Sequence, residues 1–247
     1  GQGTIGLEIL EDLPDVEAVV VPIGGGGLIS GVAFAIKTLR PGIKVYGVQA
    51  EGAPSMYRSL QEGHSVHLSG VATIADGICV KEPGVNTFAF CQKYVDEVVT
   101  VSDDEVAAAI LALIEKQKLV SEGAGAVSVA AVMFDKLPVQ GKKVCCLVSG
   151  GNIDVNMLNR VITRGLVKSG RFYTAIINLA DKPGQLSGVC GIIAQLGGNI
   201  ISVTHERLDA SVEINGCTLR IDMETRNIEH IEQVRQGLRD AGYKVLN

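Results

Sequence analysis

Residues 22–31 read Pro-Ile-Gly-Gly-Gly-Gly-Leu-Ile-Ser-Gly, directly after Val-Glu-Ala-Val-Val-Val. Four consecutive glycines have no side chains to bury, and glycine loses more freedom on folding than any other residue. Core packing therefore does not explain them; a close approach to the backbone does. The stretch Leu28–Arg40 reads as a helix, so the glycines form a turn between a buried strand and a helix N-terminus. Such a turn aims several N–H groups at one point, where the helix dipole favours negative charge. Its natural guest is a phosphate. Two further positions carry chemistry. Ser149 begins Ser-Gly-Gly-Asn at the end of the strand-like run Lys143–Ser149. Ligands of open parallel sheets bind outside the carboxyl ends of the strands, although Ser149 reads equally well as a plain helix N-cap. Glu122 sits in Ser-Glu-Gly-Ala-Gly-Ala, where small neighbours leave room for a large group. It also reads as an acid balancing a helix dipole.

Several chemistries are excluded. A triphosphate-binding loop needs a lysine after its last glycine, and none is present. A dinucleotide fingerprint needs Gly-x-Gly-x-x-Gly; position 29 is Ile, although Glu51 after the second strand keeps that alternative open. The net charge of −5, the absence of a basic block and the absence of Trp argue against nucleic acid. No apolar run reaches the roughly 18 residues of a membrane helix, and no signal-peptide pattern opens the chain. The six cysteines, Cys79, Cys91, Cys145, Cys146, Cys190 and Cys217, form no Cys-x-x-Cys pair. Reduced, buried thiols in a cytoplasmic protein are expected. His64, His67, His205 and His230 do not cluster, which points to surface or packing roles. No metal-ligand constellation is read from the chain.

The elements that must position these residues alternate. Helix 3–13, strand 17–22, helix 27–39, strand 43–49 and a helix near 53–62 are expected, then a mixed, loop-rich stretch over 63–95. Strand 97–101 leads into Ser102-Asp103-Asp104-Glu105, a capping box that starts a helix over 103–118. Helix 123–136, strand 143–149 and a further helix complete an α/β domain with a parallel sheet flanked by helices, over residues 1–167. After a linker at Lys168-Ser169-Gly170-Arg171, strand 173–179, helix 184–196, strands 199–207 and 212–224, helix 227–241 and strand 243–246 give a β-α-β-β-α-β order. That order predicts a small ferredoxin-like domain over 168–247.

Five segments, in order, resemble the threonine/serine dehydratases, pyridoxal-phosphate enzymes of the tryptophan-synthase-β fold type. They are Gly1–Glu8, Pro22–Gly31, Thr73-Ile-Ala-Asp-Gly77, Ser121-Glu-Gly-Ala-Gly125 and Leu147-Val-Ser-Gly-Gly-Asn152. Leu179-Ala-Asp-Lys-Pro-Gly-Gln-Leu186 with Gly197-Gly-Asn-Ile200 resembles an ACT regulatory domain. The resemblance implies a threonine (or serine) ammonia-lyase that converts L-threonine to 2-oxobutanoate and ammonia. It also implies pyridoxal 5′-phosphate as cofactor, held through its phosphate by Gly24, Gly25, Gly26, Gly27 and the Leu28 N–H. Ser149 would meet the pyridine nitrogen. A neutral hydroxyl there makes the cofactor a weaker electron sink than a carboxylate would, which suits β-elimination of water. Glu122 would lie near the cofactor in a supporting role.

The family's Schiff-base lysine lies in a Ser-Phe-Lys-x-Arg-Gly motif, and no lysine here has that context. Gly-Gln-Gly-Thr reads as the middle of a protein, so the chain is expected to be the C-terminal part of an enzyme, inactive alone. Related serine racemases carry a divalent cation on two acidic side chains; the matching positions are Gln49 and Ser55, so no metal is expected there. By analogy with ACT domains, Asp181, Pro183, Gly184, Gln185, Leu186, Asn199 and Ile200 would bind an amino-acid or nucleotide effector. A homodimer or homotetramer would follow. The reading of a different class is a non-catalytic effector-binding or oligomerisation module.

Overall fold

A computed structural model describes residues 1–207 and 216–247. It divides into two compact units, Gly1–Gly165 and Leu166–Asn247. Among the described residues no helix is long and apolar enough to cross a membrane.

The first unit runs α1 (Gly3–Asp12), β1 (Ala18–Pro22), α2 (Gly27–Leu39), β2 (Lys44–Ala50) and α3 (Ser55–Glu62). A 3-10 turn at Asp76–Ile78 and α4 (Val85–Tyr94) follow, then β3 (Glu97–Val101), α5 (Asp103–Ala112), α6 (Gly123–Met133), β4 (Val144–Cys146) and α7 (Val155–Lys168). The four strands form one parallel sheet in the order β3-β2-β1-β4. Every residue of β1 is buried, as a strand covered on both faces must be. The pleat sorts its side chains. Val19, Val21 and Val45 meet Ile29, Val32, Ile36 and Cys91 on one face. Val20, Tyr46, Val48 and Ala50 meet Val106, Ile110, Val127 and Ala130 on the other. This two-faced core fixes the carboxyl ends of the strands along one edge, where both Gly24 and Ser149 emerge.

Local structure departs from expectation in four places. Residues 85–94 form α4 rather than loop; Phe88 and Cys91 turn into the face that α2 covers. The helix beginning at Asp103 has its capping box, with the Ser102 hydroxyl accepting from Glu105 N–H and Glu105 accepting from Ser102 N–H. It ends at Ala112, earlier than 118, in a π-helical turn over Leu113–Gln117 and a left-handed Lys118 (φ 57°). The Leu119 N–H then closes back onto the Leu113 carbonyl. Helix α6 likewise stops at Met133, ahead of a left-handed Asp135 (φ 52°). Strand β4 has three residues rather than seven. The Leu147 N–H still bonds the Val20 carbonyl, but the next β1 position is Pro22, which has no N–H to donate; the Ser128 hydroxyl donates to the Leu147 carbonyl instead, at 2.7 Å.

The second unit contains β5 (Phe172–Ala180), α8 (Gln185–Gln195), β6 (Asn199–Glu206), β7 (Gly216–Glu224), α9 (Ile228–Asp240) and β8 (Lys244–Val245). Its sheet is antiparallel in the order β6-β7-β5-β8. Ala175, Ile177, Leu219, Ile221 and Met223 alternate onto one face and pack against Val189, Ile193, Val234 and Leu238 of the two helices. The expected linker at 168–171 begins inside the last turn of α7. Part of the expected strand 212–224, residues 212–215, lies outside the described residues.

Candidate functional site

The glycine turn is a cradle by geometry. Gly26 holds φ +93° as the residue before α2, a conformation that favours glycine. A Cβ there would stand 2.7 Å from Met56 Cε and 2.9 Å from Thr87 Cβ; one at Gly24 would stand 3.1 Å from Ile78 Cα. These two positions are closed from behind by protein. Gly25 and Gly27 are different. A Cβ at Gly25 would find only Val80, at 4.0 Å, and one at Gly27 would find nothing. No protein atom demands glycine at 25 or 27, so the room in front of them is left for something else. Among the described residues, none accepts a hydrogen bond from the N–H groups of Gly24, Gly25, Gly26, Gly27 or Leu28. Orphan donors at the start of a 13-residue helix are what an anion needs.

The turn is held by α4. The Gly25 carbonyl accepts from Thr87 Oγ1 at 2.5 Å and from Gly84 N–H at 3.3 Å. The Ser30 hydroxyl in turn donates to the Thr87 carbonyl at 3.3 Å. With its carbonyl tied back, the Gly25 peptide is pinned on the side away from the open space. Thr87 was invisible to sequence reading because its helix was.

Gly24 to Leu28, Glu122 and Ser149 line one cleft of about 390 Å³, with Pro22, Gly77, Ile78, Ala124 and Gly150. Gly77 belongs to the Thr73–Gly77 motif, and Gly150, at φ +90°, follows Ser149. The structure bears on the capping alternative at both positions. Helix α7 is capped by Asp154, whose carboxylate accepts from Asn156 N–H (2.8 Å) and Met157 N–H (3.2 Å), so Ser149 is not its cap. Glu122 occupies the position before α6, but its side chain makes no capping hydrogen bond. Its carboxylate lies against Gly77 and Gly150 instead; a Cβ at Gly77 would stand 3.2 Å from Glu122 Oε1.

Gln49 and Ser55 are fully buried. The Gln49 carboxamide donates to the Ile23 carbonyl (3.3 Å) and accepts from Tyr57 N–H (2.8 Å), holding α3 against β2. The cysteines of the described residues are all free thiols. Burial pushes Cys91 and Cys146 up to about 11, which keeps them protonated and unreactive.

In the second unit, Asp181, Pro183, Gly184, Gln185 and Leu186 line a cavity of about 450 Å³ with Lys182, His205 and Arg207. Asn199 and Ile200 are not brought to it within the chain. They begin β6, where Asn199 donates to Glu224 at 2.8 Å. The cavity gains two side chains that the sequence did not signal. Arg207 Nε stands 3.1 Å from Asp181 Oδ2 and His205 Nε2 stands 3.9 Å from Asp181 Oδ1.

A family model described as pyridoxal-phosphate dependent enzyme matches residues 1–150. An L-threonine ammonia-lyase of Thermotoga maritima is 54% identical over 245 residues, 99% of this chain and 61% of the relative. One of Geobacter sulfurreducens is 47% identical over the same shares. The chain thus spans about three fifths of the length of these curated relatives. Among solved structures, the processed form of threonine deaminase isoform 2 from Solanum lycopersicum superposes with a TM-score of 0.62 at 42% identity, covering 66% of this chain and 48% of that one. Maize serine racemase gives 0.60 at 34% identity, covering 66% and 52%. The open space before Gly25 and Gly27 and the unpaired N–H groups fit the phosphate of the cofactor these proteins' family uses. The chain belongs to the family of pyridoxal-phosphate dependent enzymes.

Proposed function

We propose that these residues form the cofactor-holding part of a threonine (or serine) ammonia-lyase, which converts L-threonine to 2-oxobutanoate and ammonia. The observation that carries the reading is the single cleft that gathers the unpaired N–H groups of Gly24–Leu28 with Ser149 and Glu122. When bound, pyridoxal phosphate supplies the electron sink for breaking bonds at the substrate's α- and β-carbons. The turn takes the phosphate through N–H groups and the α2 dipole, without a cationic side chain. The Ser149 hydroxyl orients the ring at its nitrogen without charging it. The Glu122 carboxylate, freed from capping, faces the same space in a supporting role. Among the described residues no lysine lines the cleft. In this reading the residues lining the cleft hold the cofactor, and the lysine that forms the Schiff base is not one of them.

The second unit, in this reading, is an ACT regulatory domain. Support comes from its βαββαβ order, from the cavity beside the Asp181–Leu186 turn, and from Gly184 at φ +90° opening an 11-residue helix toward it. A small amino-acid or nucleotide effector would bind there, with pairing of two copies into a homodimer or larger oligomer.

The protein expressed from its complete natural reading frame is expected to form 2-oxobutanoate from L-threonine with bound pyridoxal phosphate. Ser149→Ala is expected to lower turnover while shifting stability by less than about 0.5 kcal/mol, as for a half-buried position outside the core. No 2-oxobutanoate from the cofactor-loaded protein would overturn the assignment; unchanged turnover in Ser149→Ala would remove Ser149 from it.

A further inference from the structure

We propose that Asp181, His205 and Cys217 form a binding site for one divalent transition-metal ion of the zinc class, at the edge of the second unit's cavity. The site stands on geometry and is independent of any effector. The three residues come from the end of β5, the end of β6 and the start of β7, so nothing in their spacing along the chain announces them. Each offers one ligand atom, and the three atoms all lie within 4.8 Å of one another. Among the described residues no other group of three such side chains comes together.

The distances are close to what an ion needs. Bond lengths of roughly 2.0–2.3 Å in a tetrahedral site place neighbouring ligand atoms roughly 3.3–3.8 Å apart. Asp181 Oδ1 and His205 Nε2 already stand at 3.9 Å, so closure asks for shifts of about 1 Å or less. The side chains that must move are free to do so. Asp181 and His205 are partly open to solvent at 35% and 30%, whereas Cys217, at 1%, is the fixed anchor.

The donor set selects the metal. Sulfur, imidazole nitrogen and carboxylate oxygen together suit zinc and its borderline neighbours; magnesium and calcium take oxygen alone. Three protein ligands leave a fourth tetrahedral position. Asp181 and His205 line the cavity, so a small ligand's amine or carboxylate can reach that position. The surroundings suit the role. Arg207 Nε holds Asp181 Oδ2 at 3.1 Å, which orients the carboxylate and leaves Oδ1 for the ion, as an outer partner of a metal ligand does. The Cys217 thiol donates weakly to the Leu179 carbonyl at 3.7 Å. A metal ion binds the thiolate, so its binding displaces the Cys217 thiol proton.

The test titrates the reduced, full 247-residue chain with Co²⁺ at neutral pH, then adds Zn²⁺. A saturable thiolate-to-cobalt charge-transfer band, one ion per chain, bleached by Zn²⁺, is the expected result. Cys217→Ser should abolish the band, and Cys145→Ser, in the other unit, should leave it. His205→Ala removes an exposed side chain outside the core and should weaken Co²⁺ binding by about tenfold or more. It decides the matter even where Cys217→Ser fails to fold. Absence of the band, its survival in Cys217→Ser, or unchanged affinity in His205→Ala would each overturn the proposal.

Discussion

The same local device is used twice in this chain, in two different settings. In the first unit, β1 runs into Gly24–Gly27 and α2; in the second, β5 runs into Asp181–Gly184 and α8. Both helices are entered through a glycine of nearly the same conformation, Gly26 at φ +93° and Gly184 at φ +90°, with no side-chain cap. Both therefore present N–H groups to a cavity. What differs is the backing. Gly26 is walled by Met56 and Thr87, and the Gly25 carbonyl is tied to α4. A Cβ at Gly184 would meet nothing within 4 Å, and its neighbours Asp181, Lys182 and Pro183 are exposed. A braced turn suits a resident cofactor that must not move; an open one, ringed by Asp181, His205 and Arg207, suits a ligand that comes and goes.

The sharpest way to break this contrast is to add one methyl group to each glycine. Gly26→Ala suffers left-handed strain of about 1–2 kcal/mol and overpacking of about 1–3 kcal/mol. A loss near 3 kcal/mol and of cofactor binding is expected, measured by denaturant unfolding and by titration. Gly184→Ala carries the strain alone, about 1–2 kcal/mol. Equal costs would show that the backing of the two turns does not matter.

Next is the brace itself. Thr87→Val removes the hydrogen bond to the Gly25 carbonyl while keeping the volume. A stability loss of about 1 kcal/mol is expected, together with weaker binding of pyridoxamine 5′-phosphate, which carries the phosphate but has no aldehyde to react with a lysine. Thr87→Ser should recover both. Stability loss without any change in binding would make Thr87 a packing residue only.

A smaller effect separates the units by acid. Burial alone would raise the Asp96 carboxyl, but hydrogen bonds from Lys37, Lys44 and the Val45 N–H outweigh it and hold it below the usual carboxylate range. The first unit should therefore have its full Asp96 contribution above the ordinary carboxylate range and lose it as pH falls through the depressed value. Asp96 is partly exposed, so the contribution is about 1 kcal/mol or less after screening. Urea midpoints of wild type and Asp96→Asn should differ at neutral pH and converge in acid; a constant gap would refute the ion-pair origin.

How much of this was legible beforehand depended on whether the signal was local. The glycine turn and the Ser102–Glu105 capping box declared themselves because each is written in adjacent residues. Helix α4 did not, because Val85–Tyr94 is short, mixes polar and aromatic residues, and is stabilised by packing against α2 rather than by its own periodicity. The early end of β4 depends on its neighbours, Pro22 with no N–H to donate and Ser128 of a distant helix, which bonds the Leu147 carbonyl. That Ser149 does not cap α7 needed Asp154 to be seen taking the cap. The Asp181, His205 and Cys217 group needed three strands folded together. Five ordered motifs pointed to the cofactor family, and the comparison over residues 1–150 bears that out.

The central claim is that the Gly24–Gly27 turn holds the cofactor's phosphate, and Gly27→Asp tests it most directly. A Cβ at Gly27 meets no protein atom within 4 Å, and an acid in the first turn of a helix stabilises it by about 0.3–1 kcal/mol. The account predicts that titration calorimetry with pyridoxamine 5′-phosphate shows binding to the wild-type chain and none to Gly27→Asp, with thermal stability equal or slightly raised. Binding of equal strength by both chains would contradict it.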